Sequence, residues 1–553
     1  MGGQFLVEWE SEEGKCGRVW ASEGECLLDV FRRNRIFMES VCNGNGTCGK
    51  CRIQVVQGLK EVSALEQRFF SKEEITAGYR LACLVKAEPG LKVQLVQTFQ
   101  IRQNGIQEKE INCQGIQKRK ISREGKQENG PGSINTQNEL GIAVDLGSTM
   151  LAAVLIDAQG NVLAQASAVN SQRLYGADVV SRIQAANQGY GKRLQECICL
   201  DLEQIFRTLC ARIQYSDYVS CAHITRIVIA GNTTMLHLLR GYSCRMLGQA
   251  PFEPVCLKQE CFLYKELFAD IPECNESQVY LLPGLSAFVG ADITAGLYSS
   301  GFLNTLKTEV ACFVDLGTNG EMAVGNQTGF VTASAPAGPA FEGGNLSSGM
   351  PAVSGAISNV SFLYHKVRIQ TVGQKKPCGI CGTGALEAVA ALKKEGLLDR
   401  NGLLAPGLFE KGFLLAKRVD GSHICLSQAD IREIQMAKAA ICAGVETLFA
   451  HYCKDYIGKE MDFEIISHVY LAGGFGYYLS ADTAAEIGLF PVQWKEKIAP
   501  CGNTSLKGAA AFLVDLAGSA CAEGLKEIPK KNRTIQLAED EMFQNLFIER
   551  MGF

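Results

Sequence analysis

The chain of 553 residues carries 54 Lys+Arg against 58 Asp+Glu, a formal charge of −4. That near balance argues against a general nucleic-acid or polybasic membrane binder, and 47% apolar with 20% charged residues argues against a long disordered chain. The 23 cysteines are odd in number and spread along the whole sequence, unlike the dense disulfide framework of a small secreted domain. The opening MGGQFLVEWE already carries charge, so no secretory signal is expected, and Leu6 stands where myristoylation needs Ser or Thr. No run of ~18 apolar residues appears, so no membrane span is expected. A reducing cytoplasm is the expected compartment, with most cysteines acting as small buried hydrophobes.

In chain order, residues 1–97 read as a compact strand-rich domain. Phe5, Val7 and Trp9 alternate with polar residues, Arg18 to Ala21 offers a second strand, and Leu27 to Arg35 reads as a short helix. Arg52 to Gln57 and Leu91 to Gln97 alternate again, and Ala64 to Ala77 is helix-like. Residues 98–139, rich in Gln, Lys, Glu, Asn and Gly, read as a linker. From 140 to 530, strand-like runs at 141–145, 226–230, 311–315 and 468–472 alternate with helix-length segments, which argues α/β. Asp145-Leu146-Gly147-Ser148-Thr149 and Asp315-Leu316-Gly317-Thr318-Asn319 each follow an apolar strand and precede a second one, Met150 to Asp157 and Glu321 to Gly325. A repeat so widely separated is a duplicated domain rather than a solenoid, with lobes of about 140–305 and 306–530. Residues 531–553 read as a polar tail ending in a short amphipathic segment.

Two constellations carry chemistry. Cys42, Cys48 and Cys51 lie in VCNGNGTCGKC and Cys83 in RLACLV, a C-x5-C-x2-C pattern followed by a distant fourth cysteine. Four thiolates so spaced can hold a [2Fe–2S] cluster, and the wider first gap is closer to the adrenodoxin-like branch than to plant-type spacing. Gly44, Gly46 and Gly49 allow the backbone to wrap tightly. A zinc site would favour two C-x2-C pairs, and only one is present. The second constellation is the pair of Asp-Leu-Gly hairpins. Each delivers a carboxylate able to reach Mg²⁺ or water to a turn whose N–H groups can approach phosphate. The strand-to-glycine turn of His468 through Gly473, Gly474 and Gly476 completes a set of three nucleotide-type elements.

These motifs resemble the ASKHA superfamily of acetate and sugar kinases, heat-shock chaperones and actin. Asp145 to Thr149 matches its first phosphate motif, Asp315 to Glu321 its second and Leu471 to Gly476 its adenosine motif. Further strings narrow the likeness: Asn170 to Arg173, Gly176 to Ile183, Ala230 to Met235, Phe288 to Ile293 and Gly379 to Gly384. Joined to an N-terminal [2Fe–2S] domain, they resemble the reductive activators of corrinoid proteins over nearly the whole chain. The implied fold is a β-grasp, ferredoxin-like α+β domain followed by an actin-like ATPase of two ribonuclease-H-like lobes closing on ATP and Mg²⁺. The implied activity is transfer of one electron to an inactive Co(II) corrinoid.

Asp145, Asp315 and Glu321 are then the expected catalytic carboxylates. Gly147, Ser148, Thr149, Gly317, Thr318, Asn319, Gly382, Gly384, Gly473, Gly474 and Gly476 are expected to contact nucleotide. The expected partners are a corrinoid protein and a low-potential donor such as a flavodoxin, ferredoxin or reductase, with neither nucleic acid nor membrane. Residues 98–139 are too short for the additional small domain linked in some members with dimerisation, so a homodimer stays open. No C-terminal C-x2-C-x2-C motif like that of the related [4Fe–4S] activators appears. Two other readings remain: a small-molecule kinase with a regulatory ferredoxin domain, and a non-catalytic redox-sensing ATP-binding protein. Cys378 and Cys381 are an open thiol pair, the six histidines show no H-x3-H spacing, and Asp178, Arg182, Asn232 and Asp292 are divided between capping and contact roles.

Overall fold

The computed structural model describes residues 4–11, 15–34, 36, 38, 40, 44–47, 49–58, 62–96, 139–213, 223–458, 460–476, 479–517 and 522–553. The expected ligands Cys42 and Cys48, and almost all of the expected linker, lie outside these residues. The chain divides into two compact units, one ending at Leu281 and the other beginning at Leu282.

The first unit opens with β1 (Gln4–Ser11), β2 (Cys16–Ser22), α1 (Leu27–Arg33), β3 (Arg52–Gln57), α2 (Lys72–Thr76), β4 (Tyr79–Leu81) and β5 (Lys92–Leu95). The sheet order is β2-β1-β5-β3-β4, with β1 and β5 parallel at its centre. Val7, Ile53 and Val93 point from the sheet into a core closed by Leu27, Leu28 and Phe31 of α1, with Phe5 and Trp9 packed at its margin. The helix expected over 64–77 is two pieces, a single turn at Glu66–Arg68 and then α2. Ser71 restarts the helix through a capping box with Glu74, satisfying N–H groups that a continuous helix would not leave free.

The same unit continues with β6 (Glu139–Leu146), β7 (Met150–Asp157), β8 (Val162–Val169), α3 (Val179–Ala185), α4 (Gly191–Ile213), β9 (His223–Gly231), α5 (Thr233–Arg240), β10 (Glu260–Leu263) and β11 (Gln278–Leu281). The sheet runs β10-β11-β9-β6-β7-β8. Leu140 to Val144 of the central β6 are all buried, which explains an unbroken apolar run in place of alternation.

The second unit contains α6 (Ala291–Ser300), β12 (Val310–Leu316), β13 (Gly320–Asn326), β14 (Gly329–Ala335), β15 (Ala356–Leu363), β16 (Lys366–Thr371), β17 (Gly379–Ile380) and α7 (Gly382–Lys394). There follow β18 (Phe413–Lys417), β19 (His423–Leu426), α8 (Gln428–Tyr452), β20 (Ile466–Ala472), α9 (Gly473–Gly476), α10 (Ala481–Glu486), β21 (Ile498–Gly502), α11 (Thr504–Ala517), α12 (Ala522–Glu527), β22 (Asn532–Thr534) and α13 (Glu541–Glu549). Its main sheet runs β21-β20-β12-β13-β14-β22. The antiparallel trio β6-β7-β8 with parallel β9 and β11 thus recurs as β12-β13-β14 with parallel β20 and β21, so the repeated sequence motif marks a repeated sheet.

By contacts α6 belongs with the second unit, because it packs along α11 with almost no side chain between them. A Cβ on Gly508 would lie 2.1 Å from the Ala295 carbonyl oxygen, and one on Gly296 would lie 2.9 Å from Thr504 Oγ1. The expected tail is also part of the fold. β22 pairs in parallel with β14, and Arg550 donates two 2.9 Å hydrogen bonds to Glu446 of α8. Composition hides this because β22 is only three polar residues long.

A Gly508→Val protein is expected to lose about 1–3 kcal/mol of unfolding free energy by overpacking this crossing. Gly407→Ala, where an added Cβ meets nothing within 4 Å, should leave the urea midpoint unchanged.

Candidate functional site

The cysteine loop leaves α1 and returns into β3. Gly44, Gly46 and Gly49 all hold positive φ, at 90°, 71° and 65°, the left-handed backbone that glycine permits without strain. A Cβ on Gly44 would stand 3.8 Å from Cys83 Cβ, so the loop passes directly over the fourth expected ligand. Cys51 and Cys83 are 1% and 7% exposed, and the Ala82 N–H donates to the Cys51 carbonyl at 2.8 Å. Two buried cysteines beneath a glycine-wrapped loop fit a [2Fe–2S] cluster. Cys26, which lies outside the four-cysteine pattern, donates its thiol to the Cys83 carbonyl at 3.4 Å.

The first hairpin, Asp145 to Thr149, joins β6 to β7. Asp145 is half-buried at the end of β6, opposite Ala152 of β7 and Ala230 of β9. Its turn is held from behind. Asn170 donates its side-chain amide to the Gly147 carbonyl (2.9 Å) and its backbone N–H to the Thr149 carbonyl (3.0 Å). Arg182, fully buried on α3, donates to the carbonyls of Ser148 (2.5 Å) and Gly176 (3.0 Å). Burial lowers its pKa to about 10, so it keeps its charge at neutral pH. The sequence singled out Asn170 and Arg182 as members of strings, not as braces of the hairpin. Their bonds go to backbone carbonyls, which leave no side-chain signature.

The second hairpin, Asp315 to Asn319, joins β12 to β13 with the same burial pattern, but its chemistry differs. The residue opposite Asp315 is Glu321, where the first copy has Ala152. Burial first, then the charges of Asp292 and Asp315, push the Glu321 carboxyl well above its usual range. Ser334 on β14 donates to its Oε1 at 3.4 Å. A second carboxylate went unnoticed in the sequence: Glu342, in the turn after β14, accepts a 3.1 Å hydrogen bond from Thr318 Oγ1. Its signal was the string Pro339-Ala340-Phe341-Glu342-Gly343-Gly344. Among the described residues, no three His, Cys, Asp or Glu side chains stand close enough to hold an ion unaided. This suits Mg²⁺, which usually takes one or two carboxylates and completes its shell with water and phosphate oxygens.

The glycines divide by environment. Gly473 has a φ of 89°, and a Cβ there would lie 2.7 Å from Asp315 Oδ1, so only glycine leaves that carboxylate its place. Gly474 faces open space, and Gly476 ends the short helix α9. Gly382 and Gly384 are filled by packing, since a Cβ would meet the Phe341 and Ile357 carbonyl oxygens at 1.8 and 2.1 Å. Capping accounts for Asp178 and Asn232, whose side chains accept from the N–H groups of Ser181 and Met235. Cys378 and Cys381 turn to different carbonyls, Lys376 and Ile357. His237 is a satisfied core histidine, with Nδ1 2.7 Å from the Thr233 carbonyl and Nε2 accepting from the Val255 N–H. No helix among the described residues is long and apolar enough to cross a membrane.

Comparison with known proteins divides the chain into three parts, with the second break between 305 and 309, near the boundary read in the sequence. Residues 12–88 match the 2Fe-2S iron-sulfur cluster binding domain, 140–305 the RACo middle region and 309–553 the C-terminal ASKHA domain of RACo. The chain is 32% identical over 435 residues to the corrinoid activation enzyme RamQ of Eubacterium limosum, covering 75% of this chain and 70% of that protein. It is 26% identical over 445 residues to the [Co(II) methylated amine-specific corrinoid protein] reductase of Methanosarcina barkeri, covering 75% and 77%. Among solved structures, a reductive activator for a corrinoid, iron-sulfur protein aligns over 99% of this chain and 98% of its own, with a TM-score of 0.65 and 28% identity.

The Glu321 carboxyl gives a signed expectation. A carboxyl whose folded pKa is raised binds more protons folded than unfolded, so its effect on stability turns unfavourable as pH rises above its unfolded value near 4.5. Glu321→Gln should therefore raise the thermal midpoint at neutral pH without nucleotide or Mg²⁺, and the gain should shrink toward pH 4. Equal midpoints at both pH values would show that the carboxyl is not held protonated.

Proposed function

Because the chain belongs to the RACo family of corrinoid activation proteins, with a [2Fe–2S] ferredoxin domain joined to an ASKHA ATPase domain, we propose a role for each part of its machinery. The protein is a corrinoid protein reductase that acts by ATP-dependent reductive activation. What carries this reading is one chain holding both a glycine-wrapped cysteine loop and a doubled Asp-Leu-Gly hairpin.

Cys42, Cys48, Cys51 and Cys83 are the proposed ligands, and the cluster they would hold supplies one electron at low potential. Plant-type clusters lie near about −400 mV. Against an acceptor about 100 mV more negative, transfer is uphill by roughly 2.3 kcal/mol, about fifty-fold at equilibrium. Nucleotide can offset this only by favouring one state of the complex over another. The chain's share of that task falls to its turns and carboxylates. Backbone N–H groups at Gly147 to Thr149 and Gly317 to Asn319 would receive the phosphates of ATP. Asp145 and Asp315 would orient Mg²⁺ and the attacking water. Glu321, whose carboxyl burial holds well above its usual range, would release a proton more readily once positive charge arrives beside Asp315. Gly473 and Gly474 would let the nucleoside ring approach the backbone. A low-potential flavodoxin, ferredoxin or reductase would supply the electron, and the corrinoid protein would accept it at cobalt.

ATPase activity should rise when a cobalamin-loaded partner protein is added, and Co(II) should disappear under reductant only when ATP is present. No stimulation together with no cobalt reduction would overturn the reading. A phosphorylated small metabolite in the same assay would favour a kinase instead. Asp145→Asn should abolish ATP hydrolysis and leave the visible spectrum of the cluster intact.

A further inference from the structure

The iron–sulfur domain and the β6–β11 sheet belong to one compact unit, and Arg32 bonds across from one to the other. Arg32 lies near the end of α1, on the path into the cysteine loop, yet its side chain is only 4% exposed. Part of its cover comes from the neighbouring domain. Nε donates to the Leu174 carbonyl at 2.6 Å, and the guanidinium carbon lies 5.7 Å from the centroid of the Tyr175 ring. Nη1 donates to Asp29 at 3.2 Å, and burial first, then the Asp29 charge, raise the pKa of Tyr190. The Tyr175 and Tyr190 rings lie 5.6 Å apart. A buried guanidinium is costly to leave unpaired, so losing the Leu174 carbonyl would carry a penalty.

The segment that receives Arg32 is the one that braces the first hairpin. Leu174 ends a single helical turn, Ser171–Leu174, that begins at Asn170 and leads to Gly176. Asn170 and Arg182 between them take the carbonyls of Gly147, Ser148 and Thr149, three consecutive hairpin residues. Arg182 also ties Gly176, where an added Cβ would lie 2.7 Å from the Arg182 backbone nitrogen. The turn therefore has little freedom to move unless the hairpin and α3 move with it.

We propose that docking of the iron–sulfur domain and occupancy of the Gly147–Thr149 hairpin are thermodynamically linked through the 170–176 turn, with Arg32 as the latch. The inference rests on the reading that this hairpin receives nucleotide phosphates. Arg32 is assigned a positioning role, acting through the Leu174 carbonyl. If phosphate binding shifts the hairpin, the Leu174 carbonyl shifts too, and the dock strengthens or loosens. By reciprocity, breaking the dock changes nucleotide affinity by the same factor.

The test uses the full-length, cluster-loaded protein with Mg²⁺ and a non-hydrolysable ATP analogue, read by hydrogen–deuterium exchange and by titration. In the wild type the analogue should change exchange at residues 27–34 as well as at 170–176, an arm that needs no variant. Arg32→Ala should lose the response at 27–34 and shift the analogue Kd by about fivefold or more, with an unchanged cluster spectrum. Arg33→Ala, which removes an exposed arginine bonded to Glu25, should behave as wild type. Equal affinities for wild type and Arg32→Ala, with exchange at 27–34 indifferent to nucleotide, would overturn the linkage. Failure of the wild type to bind the analogue at all would sink the phosphate reading, and this proposal with it.

Discussion

In each half of the ATPase portion, one missing side chain fixes where the carboxylate sits. A glycine stands where the parallel strand beside the aspartate strand gives out: Gly231 closes β9 next to Leu146, and Gly473 follows β20 next to Leu316. A Cβ at either glycine would come within 2.7 and 2.6 Å of the neighbouring leucine carbonyl oxygen. Any larger residue would push the strands apart at the point where Asp145 or Asp315 leaves the sheet. The central strand can therefore end beside a chain already turning into a helix, α5 in one half and α9 in the other. Turn, helix start and carboxylate are brought together by strand spacing before any ligand is considered.

Upon that shared frame the halves have diverged in charge. Facing Asp145 is Ala152; facing Asp315 is Glu321. Their outer neighbours are serine in both halves, Ser167 and Ser334. The first hairpin is backed by a buried cation, Arg182, which donates to neutral acceptors and so leaves positive potential behind the turn. The second concentrates carboxylates, and burial raises the carboxyl of Glu321 well above its usual range. A turn backed by a cation favours an anion, whereas carboxylates gathered in a recess favour a cation, so the duplicated hairpins are complementary rather than redundant.

Much of this was legible in the sequence because it rests on patterns that sequence carries directly. Apolar runs gave the central strands, the repeated Asp-Leu-Gly gave the duplication, and glycines among cysteines gave the loop. The remainder depends on backbone acceptors and on register. That Glu321 opposes Asp315 follows from a tight hairpin and was partly visible. That Asn170 and Arg182 hold three hairpin carbonyls was not, because a carbonyl has the same signature at every residue. The place of α13 escaped for a related reason: Met542, Phe543, Leu546 and Phe547 gave an amphipathic stripe, but only the Arg550–Glu446 pair and the short β22 show what it packs against.

The abundance of cysteine takes on a different meaning once burial is known. Burial pushes the thiols of Cys244 and Cys501 up to about 11 and those of Cys199 and Cys442 up to about 12. At neutral pH such groups are almost entirely protonated, and a protonated thiol is a poor iron ligand. Burial alone does not mark the expected ligands, since Cys51 and Cys83 are buried too; what sets them apart is the glycine turn laid over them, so position in a loop rather than depth in the core decides which sulfurs can meet.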